Sequence, residues 1–168
     1  TAEKQTLQFD KLLLATGARP RQLPIPGADL PGVHYLRTLG DVAALQETME
    51  RAQNVCLIGG GYVGLEFASV ARKAGLNVTV LEAADRLLQR VTTPEMSEYF
   101  AYLHRSHGVD VCVGACIQEI QGAGQVERVV CDHGTVTADL VLIGIGALPN
   151  TEVAESAGLA CENGIQVD

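Results

Sequence analysis

Residues 55 to 82 read VCLIGGGYVGLEFASVARKAGLNVTVLE, and strand and helix patterns alternate within them. Val55, Leu57 and Ile58 make a short apolar run of strand length, and Gly59-Gly60-Gly61-Tyr62-Val63-Gly64 follows directly with the spacing G-x-G-x-x-G. Val63, Phe67, Val70, Ala71 and Ala74 then recur at helical spacing, which predicts a helix presenting that face to a sheet, with Gly75 placed to end it. Asn77 to Leu81 is a second apolar run, closed by Glu82, 23 residues beyond Gly59.

Each glycine in this turn has its own task. Gly59 permits the tight turn, Gly61 lets the backbone approach a diphosphate with no Cβ between them, and Gly64 lets the helix lie close on the strand. The helix amino end then directs free N–H groups and a partial positive charge at the phosphates. An acid at the end of the second strand accepts from both hydroxyls of an adenine ribose and repels a 2′-phosphate. The unit therefore predicts a site for the diphosphate and adenosine end of NADH, preferred over NADPH, built from Gly59, Gly60, Gly61, Tyr62, Val63, Gly64 and Glu82. Arg86 and Arg90 follow closely and weaken that preference, because either can instead pair with Glu82 or with the diphosphate.

With 168 residues, 47% hydrophobic and 19% charged, the chain has room for one well-buried domain and a short arm. Its longest apolar stretch, Asp139 to Leu148, is interrupted by Gly144 and Gly146 and reads as a buried strand running into a turn, not a membrane span. A net charge of -8 with twelve scattered basic residues argues against nucleic acid and anionic membranes as partners. The cysteines, Cys56, Cys112, Cys116, Cys131 and Cys161, form no C-x-x-C pair and are expected to be reduced, buried thiols of a cytoplasmic protein. His104 and His107 stand three apart on a predicted helix without an evident third ligand; they read as solvent-facing histidines near a helix end, and no metal is expected. Thr1 is not an initiator methionine and no signal peptide opens the chain, so an excised piece of a longer protein is expected.

Outward from the glycine turn, Leu7, Phe9 and Leu12 to Leu14 predict a strand ending in Ala15-Thr16-Gly17. Pro20 to Gly32 holds four of the six prolines and predicts an extended connector. His34 to Thr38 reads as a short extended stretch, and Asp41 to Arg51 as a helix with Val42, Leu45 and Met49 on one face. Downstream, Thr92-Thr93-Pro94-Glu95 has the form of a capping box, opening a helix whose apolar face is Met96, Tyr99, Phe100 and Leu103 and which stops at Gly108. Asp110 to Val113 is a third parallel strand. Cys116 to Val136 then predicts a small antiparallel meander, with turns at Gly122-Ala123-Gly124 and Asp132-His133-Gly134. Asp139 to Ile145 is a last buried strand, whose Gly144-Ile145-Gly146 end returns toward the dinucleotide cleft. The expected fold is α/β: a Rossmann-like parallel sheet with helices on both faces, plus the meander.

FDKLLLATGARPR near the start and ADLVLIGIGALPN near the end share a form, each an apolar strand preceded by an acid and running into a glycine turn and a proline. Together with VHYLRTLGDVAAL, GGGYVGLE, RVTTPEMSEYFAYLHRSHGVD and GLACENGIQVD, these segments resemble the two-dinucleotide flavoproteins, in which an NAD(P)H domain is inserted into an FAD domain. Within them the chain is similar to FAD-dependent NADH:ferredoxin reductases of the putidaredoxin and rhodocoxin reductase type, in the pyridine nucleotide-disulfide oxidoreductase superfamily. The resemblance implies hydride transfer from nicotinamide C4 to flavin N5 and one-electron delivery to a ferredoxin-type iron–sulfur protein of a cytochrome P450 system. It implies that Glu66 lies near the nicotinamide, that Gly144, Ile145 and Gly146 line the NADH cleft, and that Thr16, Gly17 and Arg37 touch FAD. It divides the chain into a strand of an FAD-domain half with its proline-rich connector (1–40), an NADH-binding domain (41–150) and a segment returning toward the FAD domain (151–168).

The family's first FAD glycine motif and its late glycine-aspartate segment have no counterpart in these residues. The chain alone is thus expected to bind NADH, to hold FAD weakly or not at all, and to lack reductase activity. The rivals are the NADH domain of an NADH oxidase, a coenzyme A disulfide reductase or a nitrite reductase, and a non-catalytic NADH-sensing domain. The last leaves ATGARPR, the proline connector and Arg37 unexplained.

Overall fold

The computed structural model describes residues 6–167. Its elements in chain order are β1 (Ala18–Pro20), β2 (Val33–His34), α1 (Leu39–Met49), β3 (Asn54–Ile58), α2 (Tyr62–Lys73), β4 (Asn77–Glu82), α3 (Pro94–Ser106), β5 (Val109–Val113), β6 (Ile117–Gln121), β7 (Arg128–Cys131), β8 (Gly134–Thr137), β9 (Leu140–Ile143), β10 (Ala147–Pro149) and α4 (Glu152–Ser156). They fall into two compact units, Pro20–Ala147 and the two chain ends, up to Arg19 and from Leu148.

In the larger unit a five-stranded sheet runs β2-β9-β3-β4-β5, with every neighbouring pair parallel. Successive side chains on a strand point to opposite faces, and here both faces are covered. Val55 and Leu57 of β3, Val78 and Val80 of β4, and Leu140 and Leu142 of β9 join one core with Leu45 of α1, Leu65, Phe67, Ala68 and Ala71 of α2, and the half-buried Phe100 and Ala101 of α3. The alternate residues Cys56, Ile58, Leu81, Val141 and Ile143 join a second core with Ile120 and Val129 of the antiparallel β6-β7-β8 meander. The α/β class with a meander is as expected, but helices α1, α2 and α3 share one face of the sheet and the meander covers the other.

Several local expectations are corrected. The buried face of α2 is Gly64, Leu65, Phe67, Ala68 and Ala71, whereas Val63, Val70 and Ala74 point outward. On α3, Ser97 and His104 are the buried positions and Met96 and Tyr99 are exposed, so the helix is turned from its most hydrophobic stripe. The N-cap of α3 is Thr93, whose side chain accepts from Met96 N; with Met96 at the third position no reciprocal bond forms, and the Thr92–Glu95 capping box is absent. A true capping box opens α1 instead, between Thr38 and Asp41, and this helix starts two residues earlier than expected.

Residues 6–17 contain no strand, and Leu7, Phe9, Leu12 and Leu13 are exposed, because no neighbouring strand pairs with them among the described residues. The proline-rich segment is not extended throughout: residues 25–32 fold into turns, Leu23, Ile25, Ala28 and Leu30 pack on the second core, and Ile120 N and Val126 N donate to Pro26 O and Pro31 O. The larger unit begins at Pro20, and within it β2 pairs with β9. Cys56 and Cys131 are buried as expected, but Cys112 and Cys161 are half-buried and Cys116 is exposed.

In the smaller unit, Asn150 stitches the two chain ends together. Its Nδ2 donates to Thr16 O (2.9 Å), its N donates to Gly17 O (2.9 Å), and Thr16 Oγ1 donates to its carbonyl. Arg19 bonds the Asn150 side chain and pairs with Glu152. The segments that follow the two echoed glycine turns, β1 and β10, pair with each other.

Candidate dinucleotide-binding site

The parallel ladder sets β3 and β4 in register from Asn54 opposite Asn77 to Ile58 opposite Leu81, so Gly59 and Glu82 emerge side by side at the carboxyl edge of the sheet. Gly59 adopts φ 111° and its N–H donates to Leu81 O at 2.8 Å, continuing the ladder by one bond before the chain turns. A Cβ on Gly59 would lie 2.5 Å from Gly144 O, and one on Gly64 would lie 2.2 Å from Gly59 O. The first glycine therefore allows the β9 end to close in, and the third seats α2 on the turn. Gly61 differs: a Cβ there would meet nothing within 4 Å, so this peptide faces open space. Gly61 is also the N-cap of α2, no side chain caps it, and the helix amino end is left facing the same way.

Glu82 is already engaged. Its Oε2 accepts from Gly60 N at 2.6 Å and its Oε1 from Ala84 N at 2.7 Å, both charge-assisted bonds. The Gly60 carbonyl accepts in turn from Leu88 N at 2.9 Å. Leu88 holds φ 54°, a left-handed conformation costing an L-residue roughly 1 to 2 kcal/mol. Burial of Leu87 and Leu88 in the helical-side core offsets that cost. Residues 83–92 thus form a fixed strap across the glycine turn, a feature without signal in the sequence beyond the paired leucines.

The two arginines separate. Arg86 does not pair with Glu82: it donates to Thr92 O, to Gln89 O and, at 2.7 Å, to Ser97 Oγ, fastening the strap to α3. Arg90 is exposed, with its guanidinium against Gly146, 3.6 Å from where a Cβ would stand. Gly144 N donates to Ile58 O at 2.8 Å and Gly146 adopts φ 112°, so Gly144-Ile145-Gly146 does return to the glycine turn. Tyr62 and Val63 are exposed beside the turn, and Glu66, one helical turn further, is exposed with no hydrogen bond or ion pair to a described residue. Arg37 is exposed ahead of α1, where its N–H donates to Asp41, while Thr16 and Gly17 belong to the other unit.

Asp139, unremarked in the sequence beyond being the acid before β9, accepts from Gln53 N and Asn54 N and so aligns β9 with β3 at their starts. Burial pushes the Cys56 thiol far up, with Cys131 and Cys112 adding to the effect, which keeps it protonated and inert. His104 is buried, contrary to the expectation of a solvent-facing ring, and His107 is exposed. Among the described residues, no group of three His, Cys, Asp or Glu side chains could hold a metal ion, and no helix is long and apolar enough to cross a membrane.

A parallel sheet with a glycine turn opening into space at its carboxyl edge and a carboxylate beside it defines a Rossmann-type dinucleotide-binding module. The family model for pyridine nucleotide-disulphide oxidoreductases matches residues 1–168, and the chain belongs to that family. It is 47% identical to rhodocoxin reductase of Rhodococcus erythropolis over 96% of this chain and 38% of the relative. It is 42% identical to putidaredoxin reductase CamA of Pseudomonas putida over 99% of this chain and 41% of the relative. The crystal structure of the covalent putidaredoxin reductase–putidaredoxin complex superposes with a TM-score of 0.91 at 40% identity, covering 97% of this chain and 41% of that one. The chain spans about two fifths of the length of these relatives.

Proposed function

We propose that this chain is the NADH-binding region of an FAD-dependent reductase that passes reducing equivalents from NADH through FAD to a ferredoxin-type iron–sulfur protein. The observation that carries the reading is the open space over Gly61 combined with the Glu82 carboxylate fixed beside Gly60. Bound flavin and nicotinamide would supply hydride acceptance and one-electron release. The chain's own residues bind and orient. The Gly59–Gly64 turn and the α2 amino end receive the diphosphate, Arg90 adds a positive charge at the same mouth, and Glu82 receives the adenine ribose hydroxyls. Tyr62 and Val63 cover the dinucleotide, Gly144, Ile145 and Gly146 leave room for it without side-chain bulk at two of three positions, and Glu66 orients the nicotinamide. Thr16, Gly17 and Arg37 contact FAD.

The ferredoxin partner and the oxygenase context are proposed from the names of the relatives, rhodocoxin reductase and putidaredoxin reductase. A cytoplasmic location is proposed from the five free cysteines. The division into 1–40, 41–150 and 151–168 is proposed as FAD-side, NADH-binding and returning segments, with β2 structurally part of the middle one.

Parallel calorimetric titrations with NADH, NADPH and FAD test the reading. NADH binding, with NADPH weaker and no stoichiometric flavin, is the expected result. NADPH binding as well as NADH would overturn the role given to Glu82. Stoichiometric flavin on this chain would overturn the division into segments.

A further inference from the structure

We propose that the crevice between the carboxyl-terminal halves of α2 and α3 is a second binding site, for a small carboxylate with a flat apolar body. It lies at the opposite end of α2 from the glycine turn, about 15 Å along the helix from Tyr62 to Arg72. Its cavity of about 290 Å³ is bounded by Ser69, Arg72 and Lys73 of α2, Leu103, His104 and His107 of α3, and Val109 of β5. A cavity of about 150 Å³ takes a benzene ring, so this space admits a benzoate with room for several waters.

The crevice is built, not incidental. His104 is 8% exposed, yet its ring makes no hydrogen bond to a described residue. No fully buried side-chain nitrogen or oxygen of the described residues lacks a partner, so the His104 ring nitrogens are open, and the space they open onto is this cavity. A ligand entering the cavity can therefore replace the water that meets this ring. One wall is tied to backbone: Arg72 donates from Nε to His107 O (3.1 Å) and from Nη1 to Leu76 O (2.6 Å). His107 Nδ1 lies 2.8 Å from Leu103 O, and since a carbonyl only accepts, that nitrogen carries the proton.

Charge and shape select the ligand class. The lining contains no carboxylate, although the chain carries a net charge of -8, and it gathers the Arg72 guanidinium, the Lys73 ammonium and two imidazoles. Leu103 and Val109 supply apolar wall below this collar. Arg72 and the His107 Nδ1 proton are used on helix-end carbonyls, which leaves Lys73, exposed and without an ion pair to a described residue, and the His104 ring to meet a ligand's carboxylate.

Benzoate is the probe, with benzamide (same body, no charge) and acetate (same charge, no body) as comparators. The chain's four histidines give ring resonances that can be followed separately in nitrogen-edited NMR. Benzoate is expected to move the His104 ring signals saturably, with both comparators about tenfold weaker, the loss of one main interaction. Ser69→Phe, which fills the crevice from an exposed helix position, is expected to abolish the shift while leaving the NADH titration unchanged. No movement of His104 with benzoate, equal responses to all three compounds, or a response that survives Ser69→Phe would each overturn the proposal.

Discussion

Gly61 and Gly64 stand three positions apart on one turn, yet a methyl group added to each meets different surroundings. On Gly64 it runs into Gly59 O at 2.2 Å, backbone against backbone, so the helix must move off the strand. Gly64→Ala is therefore expected to destabilise the fold by roughly 1 to 3 kcal/mol in urea unfolding, the usual range for overpacking. On Gly61 the methyl meets nothing, and the residue's φ of -85° suits any L-amino acid. Gly61→Ala should leave the unfolding midpoint in place and weaken NADH in calorimetry, because the methyl occupies the space left for the diphosphate. A loss of stability in that variant would remove the distinction between the two glycines. Glu82 couples both roles, since its carboxylate holds Gly60 N and Ala84 N before any ribose arrives. A glutamine keeps one acceptor but must turn an NH₂ toward one of two N–H donors. Glu82→Gln is thus expected to weaken NADH about 10- to 100-fold, the loss of a hydrogen bond to a charged group, and the same titration with NADPH should show a smaller loss.

The helices and strands were legible in the sequence where side-chain period and punctuation agreed. β3, the glycine turn, α2 and β4 came with two glycines of positive φ, Gly59 and Gly75, at the turns, and the structure reproduces their order. The orientation of α2 and α3 was less legible, because a helix can carry more apolar residues than its buried face uses. Val63, Val70, Met96 and Tyr99 belong to that excess. The strap over the turn was illegible, since it rests on a leucine at φ 54° and on a backbone bond to Gly60, neither of which has a residue-type signal. Capping was displaced: the sequence form at Thr92–Glu95 has its threonine one residue before the real N-cap, whereas Thr38 and Asp41 make the reciprocal pair on α1. Thr38→Ala removes an acceptor from Asp41 N and should cost about 1 kcal/mol, read as a lower urea midpoint. Thr38→Ser should restore it, which separates capping from loss of a methyl group.

Across the whole molecule, acid sensitivity follows from groups on both sides of the helical core. His34 between β2 and α1, and His104 between α3 and α2, are both held below the usual histidine value of 6.5. Burial is the main cause in each; Asp41 partly opposes it at His34, and His107 reinforces it at His104. A base whose pKa is depressed by folding is protonated first in the unfolded chain, so stability is full above 6.5 and is lost as pH falls through 6.5 toward the lower folded values. Asp41, Glu95 and Glu152 are held below their usual values of 3.8, 4.5 and 4.5, chiefly by backbone hydrogen bonds at helix starts. Their contribution is present above those values and is lost only as pH falls further, so the two effects have the same sign but occupy successive windows. One effect opposes them: protonating histidines reduces the magnitude of the net charge from -8 and relieves self-repulsion. That effect acts between exposed charges and is screened at high ionic strength, where the Debye length falls to about 3 Å near 1 M salt. Urea midpoints measured in high salt should therefore fall between pH 7.5 and 5.5. His104→Gln, which cannot charge, should flatten part of that fall. A midpoint that rises over this interval in high salt would mean that the buried rings gain a partner on protonation, and the assignment of His104 as an uncharged imidazole in the folded protein would be wrong.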